Sequence, residues 1–192
     1  MNSPITLFAG LYSEQLSQSK DIIPSACCLS TIGTDGFPIA RFVALKELAD
    51  GKFIVCGPTK SRKGIEIDSN NKVSLTFWWP ETKRQVRIQG IATSISDEQA
   101  DRYFSERDRE SQLVSSVSNQ GENISDLNTL LSKFESLQNE SEGKLIRRPQ
   151  NWGGFSVDPI RVEFLEFKNT RFHERKLFTL ENGSWKTTFL QP

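Results

Sequence analysis

The sequence predicts a mainly β domain with helices (α+β), an antiparallel β-barrel with peripheral helices. Strand-like runs follow one another along the chain, and turn signals such as Asp35-Gly36 and Asp50-Gly51 separate the first of them. Helical patterns interrupt this series instead of alternating with every strand, as a βαβ sheet would require. The chain has 192 residues, enough for one domain with a sizeable core and few for two. We therefore treat residues 1–192 as a single domain.

The first half of the chain contains one helix, five strand runs and two further helices. Apolar residues at helical spacing over residues 4–18 predict an N-terminal helix within residues 1–20. Ser61 is placed as the N-cap of a short helix that ends near Asn70, and Ser96 with Gln99 forms a capping box for a helix through about Phe104. The strand runs cover residues 26–32, 39–45, 53–56, 72–79 and 84–95.

The second half contains one more helix and four strand runs. A helical stripe from Leu127 to Leu137 follows a predicted cap at Ser125. Residues 139–150 are polar, and we expect a mobile connector there. The strand runs cover residues 155–157, 161–167, 171–180 and 185–190, with the turn Asn182-Gly183 before the last.

Composition limits the kinds of partner. The chain has 24 basic and 24 acidic residues, so no overall field favours nucleic acid or an acidic membrane surface. No apolar run approaches about 18 residues, and no signal peptide is recognisable. Cys27, Cys28 and Cys56 form neither a disulfide framework nor a zinc motif, which fits a reducing cytoplasm and predicts no metal. A small anionic ligand held by local basic clusters is the partner that remains.

The only histidine, His173, lies in the run Arg171-Phe172-His173-Glu174-Arg175, which reads as a strand. Alternate residues of a strand face the same way, so Arg171, His173 and Arg175 would share one face. Three such groups repel one another unless an anion or a polar ligand lies among them. The alternative is a solvated edge strand whose charges oppose aggregation.

Two further clusters could bind phosphate. Lys60-Ser61-Arg62-Lys63-Gly64 combines basic side chains with a helix N-terminus, although the P-loop spacing is missing. Tyr103, Arg107 and Ser111 recur every four residues and would share one helix face if that helix continues. The alternatives are a solvated basic turn and an ordinary polar helix face.

Weaker signals are Arg41 inside an apolar strand, the strand residue Gln85, and Gln120-Gly121. A charge within such a strand requires a partner. The sequence motifs of common catalytic and dinucleotide sites are missing: there is no HExxH, no GxSxG elbow and no GxGxxG turn. Two phosphate clusters without nucleophilic or redox residues predict a phosphorylated cofactor that supplies the chemistry.

In order and spacing, these clusters resemble the pyridoxamine 5′-phosphate oxidase family, FMN-dependent enzymes of vitamin B6 metabolism. The resemblance runs from about Leu7 to Pro192. The segments that carry it are RFVALK (41–46), SRKG (61–64), RQVRIQG (84–90), YFSERDRESQ (103–112), SNQ (118–120), WGGF (152–155), VEF (162–164), RFHER (171–175) and LQP (190–192).

The resemblance implies an FMN-binding split β-barrel in which two subunits form a homodimer with FMN at the interface. The implied cofactor-binding residues are Arg41, Phe42, Val43, Ala44, Leu45, Lys46, Cys56, Gly57, Ser61, Arg62, Lys63, Gln85, Gln120, Gly121, Leu165 and Arg175. The implied substrate-binding residues are Lys46, Tyr103, Arg107, Ser111, Arg171 and His173. Arg171 and His173 are also the implied catalytic residues.

The implied reaction is the oxidation of pyridoxamine or pyridoxine 5′-phosphate to pyridoxal 5′-phosphate. Hydride leaves the C4′ carbon of the substrate for N5 of the flavin, and Arg171 and His173 orient the substrate ring. Dioxygen is the second partner and is reduced to hydrogen peroxide. The amine substrate gives an imine that hydrolyses to the aldehyde and ammonia.

Three departures from the family pattern bear on this interpretation. Cys56-Gly57 replaces a Tyr-Thr pair beside FMN, and Leu165 replaces a Trp, each loss weakening FMN binding by about 1 kcal/mol. The chain also starts almost at the first helix, so we expect the N-terminal lid of the family to be absent or shortened. Two alternatives stay open: an FMN oxidase of the phenazine-biosynthesis type, which Ser115-Ser116-Val117-Ser118 resembles, and a non-catalytic flavin- or pyridoxal-phosphate-binding protein.

Overall fold

A computed structural model describes residues 3–192 of the chain. The helices are α1 (Pro4–Gln18), α2 (Arg62–Ser69), α3 (Asp97–Ser105), α4 (Arg109–Val117) and α5 (Leu127–Glu140). The strands are β1 (Ala26–Ile32), β2 (Pro38–Ala49), β3 (Lys52–Pro58), β4 (Lys72–Trp79), β5 (Arg84–Ser94), β6 (Trp152–Glu166), β7 (Glu174–Glu181) and β8 (Ser184–Leu190). Most predicted elements are therefore present, within a few residues of their predicted ends.

The strands form one antiparallel sheet in the order β3-β2-β1-β4-β5-β6-β7-β8. Pairing of β3 with β6 closes the first six strands into a barrel, and β7 and β8 extend the sheet outward from β6. Strand β6 is 15 residues long, so its first half pairs with β3 and its second half with β7. The predicted antiparallel barrel with peripheral helices is confirmed.

Two hairpins have the turn chemistry that the sequence predicts. Asp50 and Gly51 have φ angles of 50° and 77°, and Asn182 and Gly183 have the same two values. Positive φ at both central residues is typical of the type I′ turn, whose twist matches that of the flanking strands. These turns fix the β2–β3 and β7–β8 registers.

Helix α1 closes one end of the barrel. Its Phe8 is fully buried and makes edge-to-face contacts with Phe53 and Phe77, at ring-centroid distances of 4.9 and 5.2 Å. The same helix presents Tyr12, whose ring stacks on Trp79 at 6.0 Å. This aromatic cluster joins the N-terminal helix to the core of the barrel.

Helix α2 begins at a close backbone contact. A Cβ atom added to Gly64 would lie 1.9 Å from the carbonyl oxygen of Thr59, so only glycine fits there. The start of the helix is thereby held against the end of β3. Ser61 is the N-cap as predicted, but its hydroxyl donates to the carbonyl of Pro58 at 2.6 Å and does not cap the helix.

Several boundaries differ from the sequence predictions. The predicted runs 155–157 and 161–167 form one strand, because Pro159 lies at a register shift opposite Gly90, where the strand tolerates a missing N–H. The predicted strand 171–180 begins only at Glu174. Arg171 and His173 therefore precede β7, and the shared strand face predicted for them with Arg175 is wrong.

The helix expected to carry Tyr103, Arg107 and Ser111 together ends at Ser105. Asp108 accepts a hydrogen bond from the Ser111 N–H at 2.8 Å and so caps a new helix, α4. The three residues thus lie on two helices and the turn between them. Helix α5 is capped by Asp126, one residue after the predicted Ser125.

The connector after α5 begins beyond Glu140 rather than at Asn139. Within it, Arg148 pairs with Asp97 at 2.7 Å and with Asp101 at 2.6 Å, both on α3. Its predicted mobility stays a prediction. Among residues 3–192, none of the helices combines the length and the hydropathy needed to span a bilayer.

Candidate functional site

A cavity of about 560 Å³ lies between the barrel wall, the start of α2 and helix α4. We call it the main cavity. It gathers many of the residues predicted to bind a cofactor. Those that line it are Arg41, Phe42, Val43, Ala44, Cys56, Gly57, Ser61, Arg62, Lys63, Gln120 and Gly121.

The polar end of the main cavity is centred on Lys63. Its ammonium group donates to Gln120 Oε1 at 2.6 Å and to Ser61 Oγ at 3.1 Å. Burial, with a smaller contribution from the charge of Arg41, lowers the pKa of Lys63 to about 8. An anion bound here would stabilise the charged form of this lysine.

Arg41 is held in place by a buried carboxylate. Its guanidinium lies 2.6 Å from Glu66 Oε2 and also donates to the Thr31 hydroxyl at 2.5 Å. Glu66 is 2% exposed and also accepts from Arg62 at 2.9 Å. Burial opposes ionisation, but the hydrogen bonds from Thr31, Arg41 and Arg62 hold the pKa of Glu66 below its usual value. The pairing required for an arginine inside this strand is therefore present.

Lys46 and Arg107 approach the main cavity around Cys56. Burial raises the pKa of the Cys56 thiol to about 11, while the charges of both Lys46 and Arg107 oppose the rise. The Lys46 ammonium lies 5.5 Å from the centre of the Tyr103 ring. Of these residues Arg107 lines the main cavity, and Lys46 and Tyr103 adjoin it.

Arg107 is poorly satisfied by protein groups. Its guanidinium lies over the Trp152 ring at 5.3 Å. Its Nη2 atom makes only long hydrogen bonds of 3.4 Å, to the Ser111 carbonyl and the Ser115 hydroxyl. Its Nε atom is buried without an acceptor among the described residues. A buried N–H group without a partner is costly, so this arginine is suited to an anionic ligand.

Tyr103 is buried at the end of α3, and its hydroxyl donates to Glu47 at 2.6 Å. Burial and this hydrogen bond raise the pKa of Tyr103 to about 12. The same bond, with the charge of Arg102, holds the pKa of Glu47 below its usual value. The phenol is therefore a donor that stays protonated at every pH at which the protein would be assayed.

The remaining predicted site residues lie elsewhere in the chain. Gln85 and Leu165 are paired across β5 and β6 and line a separate cavity of about 220 Å³. Arg175 pairs with Glu163 at 2.7 Å. Leu45 packs in the barrel core, so its side chain does not line the main cavity.

Arg171 and His173 lie in the segment before β7. The ring of His173 contacts Phe167 at 5.0 Å, and its Nδ1 atom accepts from the Lys168 N–H at 3.3 Å. Arg171 is exposed. Within one chain, the predicted site residues therefore form two separate groups, one at the main cavity and one on the β5–β7 side of the barrel.

The sequence did not single out every residue of the main cavity. Pro58 and Val114 line it, and Glu66 supports it by pairing with Arg41. Glu66 lies four residues after Arg62 on α2, a spacing that indicates an ion pair but not the burial of that pair. Among residues 3–192, no group of three or more His, Cys, Asp or Glu side chains is placed to hold a metal ion.

Family comparisons cover almost the whole chain. A sequence profile described as pyridoxamine 5′-phosphate oxidase matches residues 19–140. A second, described as the pyridoxine 5′-phosphate oxidase C-terminal dimerisation region, matches residues 152–192. The second match contains β6, β7 and β8 together with Arg171 and His173.

Curated relatives carry the same description. A pyridoxine/pyridoxamine 5′-phosphate oxidase from Leptospira biflexa is 40% identical over 189 residues, covering 98% of this chain and 89% of its own. One from Zymomonas mobilis is 41% identical over 181 residues, covering 94% of each chain.

Two solved structures share the fold. The PhzG protein of Burkholderia lata, in complex with tetrahydrophenazine-1-carboxylic acid, superposes with a TM-score of 0.93 at 28% identity, covering all of this chain and 94% of that one. An FMN-binding protein of Nostoc punctiforme superposes with a TM-score of 0.80 at 18% identity, covering all of this chain and 98% of its own. At that identity the second match supports the fold alone.

Proposed function

This chain belongs to the pyridoxamine 5′-phosphate oxidase family, and we propose that it oxidises pyridoxamine or pyridoxine 5′-phosphate to pyridoxal 5′-phosphate, with FMN as cofactor and dioxygen as electron acceptor. Membership makes it an oxidase. The observation that supports the specific reaction is a pair of basic clusters near one cavity: Arg62 and Lys63 with Ser61 at the start of α2, and Lys46 with Arg107 around Cys56. Two such groups match two phosphates, one from the cofactor and one from the substrate.

The residues of the main cavity fit the FMN phosphate. The first turn of α2 presents free N–H groups and the positive end of the helix dipole, and Lys63 and Arg62 add charge. The depressed pKa of Lys63 indicates a cation that lacks a full counter-charge in the free protein. When bound, FMN would take two electrons from the substrate and pass them to dioxygen, giving hydrogen peroxide.

The substrate phosphate is assigned to Lys46, Tyr103, Arg107 and Ser111. We call these four residues the phosphate grip. The buried, unpartnered Nε of Arg107 supports the assignment, because a phosphate oxygen would supply the missing acceptor. The persistent proton on Tyr103 provides a neutral donor beside the two cations.

Arg171 and His173 are assigned to the substrate ring, and we propose that a second subunit brings them to the main cavity. They lie in the region that matches the family's dimerisation profile. Gln85, Leu165 and Arg175 lie on the same side of the barrel and would come from that subunit too. The exposed Phe172 beside them fits a surface that a homodimer would cover.

A second candidate is an FMN oxidase of the phenazine type. The close superposition on the PhzG protein favours it, as do Ser115 and Ser118, which line the main cavity. The complete phosphate grip favours the B6 phosphates, since a substrate without phosphate does not require those four residues together.

We place the reaction in the cytoplasm, where Cys27, Cys28 and Cys56 would remain free thiols.

The deciding experiment is a spectrum of the purified protein, followed by anaerobic addition of pyridoxamine 5′-phosphate. We expect flavin absorbance that bleaches with substrate and returns with air as pyridoxal 5′-phosphate appears. Bound flavin that stays oxidised would contradict the proposed substrate and support the phenazine type. Failure to bind flavin after reconstitution with FMN would contradict the proposed cofactor.

A further inference from the structure

Carboxylates lie against three of the four residues of the phosphate grip. Lys46 contacts Glu106, Tyr103 contacts Glu47, and the Ser111 N–H contacts Asp108. Arg107 alone forms no direct contact with a carboxylate among the described residues; its hydrogen bonds go to the Ser111 carbonyl and the Ser115 hydroxyl. Two of the three acids lie in the turn that separates α3 from α4, directly beside Arg107 in the sequence.

The contact between Lys46 and Glu106 is a direct ion pair. Glu106 Oε2 lies 2.7 Å from the Lys46 ammonium, and both side chains are partly exposed. Glu106 and Lys46 are also both close enough to Cys56 to affect the pKa of its thiol. The carboxylate therefore already pairs with the Lys46 ammonium, the group to which a substrate phosphate would also bind.

Glu47 accepts the hydrogen bond that the Tyr103 hydroxyl could otherwise donate to a phosphate. Its Oε2 atom accepts from the Tyr103 hydroxyl at 2.6 Å and from Arg102 at 2.7 Å. A phenol has one proton, so Tyr103 cannot donate to Glu47 and to a phosphate at the same time. Binding of a phosphate at Tyr103 therefore requires that this hydrogen bond break.

We infer that Glu106 and Glu47 are specificity-determining residues that compete with the substrate's phosphate for Lys46 and Tyr103. The inference rests on the proposed function, because it concerns the phosphate grip. A dianionic phosphate must displace a carboxylate from Lys46 and then remain near it, with repulsion between like charges. The two acids thus lower the affinity of the site for dianions and reduce its preference for phosphorylated over unphosphorylated ligands.

The test measures the dissociation constant of pyridoxal 5′-phosphate by calorimetry, with the flavin-loaded protein. We expect Glu106→Gln to bind this ligand roughly three- to tenfold more tightly than the wild type, because the amide keeps the shape and removes the charge. Glu47→Ala should tighten binding by a smaller factor, since it frees an uncharged donor. Unphosphorylated pyridoxal should bind all variants equally.

Glu110→Gln is the matched control. Glu110 lies in the first turn of α4, is exposed, and has no ion-pair partner among the described residues. Its substitution removes the same charge from a residue outside the phosphate grip and should change the dissociation constant by less than about twofold. In a Lys46→Met background, Glu106→Gln should have a clearly smaller effect, because competition for Lys46 is removed and only repulsion between like charges remains.

Several outcomes would overturn the inference. Binding by Glu106→Gln that is equal to or weaker than that of the wild type would do so, and weaker binding would make Glu106 a support for Lys46. An equal gain in affinity in Glu110→Gln would show that the effect comes from the change in net charge and not from Glu106 itself. If the wild type binds pyridoxal 5′-phosphate and Glu106→Gln is not tighter, only this inference fails. If neither protein binds it, the proposed placement of the substrate phosphate fails too.

Discussion

At the scale of the residue, the main cavity depends on how its cations are compensated. Arg41 and Arg62 share the buried Glu66, whereas among residues 3–192 Lys63 has only the neutral Gln120 and Ser61 as hydrogen-bond partners. The first arrangement holds a guanidinium in one orientation. The second leaves a cation undercompensated, which suits it to bind an anion. The two kinds of partner therefore indicate a structural role for Arg41 and a ligand-binding role for Lys63.

Glu66→Gln should destabilise the free protein by about 1–3 kcal/mol at neutral pH, because two guanidinium groups lose their counter-charge at a largely buried position. The pKa of Glu66 is lower in the folded protein than in the unfolded chain. Its stabilising effect is therefore full above the unfolded pKa and is lost as pH falls through the folded value. The difference between variant and wild type should shrink in acid, as measured by urea unfolding. Glu135→Gln on the exposed face of α5 should show no comparable loss.

We predict that Lys63 makes FMN binding dependent on pH. Its pKa of about 8 in the free protein means that it loses its proton as pH rises through that value. The dissociation constant of FMN should therefore rise between about pH 7 and pH 9. In Lys63→Met this rise should be missing, and binding at pH 7 should be weaker about tenfold or more. Riboflavin, which lacks the phosphate, is the control in the same fluorescence titration. A pH dependence that survives in Lys63→Met would assign the titration to another group.

At the scale of the element, short contacts with the backbone decide where helices begin. Helix α2 can lie against Thr59 because residue 64 has no side chain. Helix α4 begins where it does because Asp108 caps it, and this turn separates Tyr103 from Ser111. Neither contact can be predicted from helical periodicity. Periodicity shows which residues share a helix face, but it contains no information on which groups contact the backbone.

Gly64→Ala should lower both the stability and the FMN affinity, since the added methyl group would force the start of α2 away from Thr59. We expect a loss of about 2 kcal/mol or more in urea unfolding. Gly10→Ala is the matched control: it lies in α1, where an added Cβ meets nothing within 4 Å. That substitution should stabilise the protein by about 0.5–1 kcal/mol through helix propensity. An unchanged FMN affinity in Gly64→Ala would show that phosphate binding does not depend on the position of the start of α2.

At the scale of the whole molecule, the division of the predicted site into two groups implies a partner subunit. The main cavity carries the phosphate grip and the start of α2, whereas Arg171 and His173 lie beside the outer strands. A two-fold dimer would place each group of one subunit against the other group of its partner, because both subunits contribute the same surfaces.

Arg107→Ala and Arg171→Ala should each abolish most of the activity, but mixed dimers should recover it. If the site is shared, a mixed dimer has one site with both substitutions and one with neither. Random reassociation of equal amounts should therefore restore about a quarter of the wild-type sites. A mixture of Arg107→Ala with Lys46→Ala is the control and should restore nothing, since both residues belong to the phosphate grip. Recovery that is equal in both mixtures would contradict the shared site.

The sequence by itself determined the local features of this protein. Strands β1 and β4 lie where predicted, Asp50-Gly51 and Asn182-Gly183 form the predicted turns, and Ser96 with Gln99 caps α3. These features depend on residues within one or two turns of each other, so the pattern contains the information. Site residues identified by resemblance can also be read from the sequence, because a motif such as SRKG is contiguous in the chain.

Only the tertiary structure decided which of these features meet. The closure of the barrel by β3 and β6, the pairing of Arg41 with Glu66, and the carboxylates beside Lys46 and Tyr103 join residues far apart in the chain. It also decided that Arg171 and His173 precede their strand and lie apart from the main cavity. The physical reason is that burial, ion pairing and competition for a donor are properties of a place in the fold, and periodicity along one segment does not specify them.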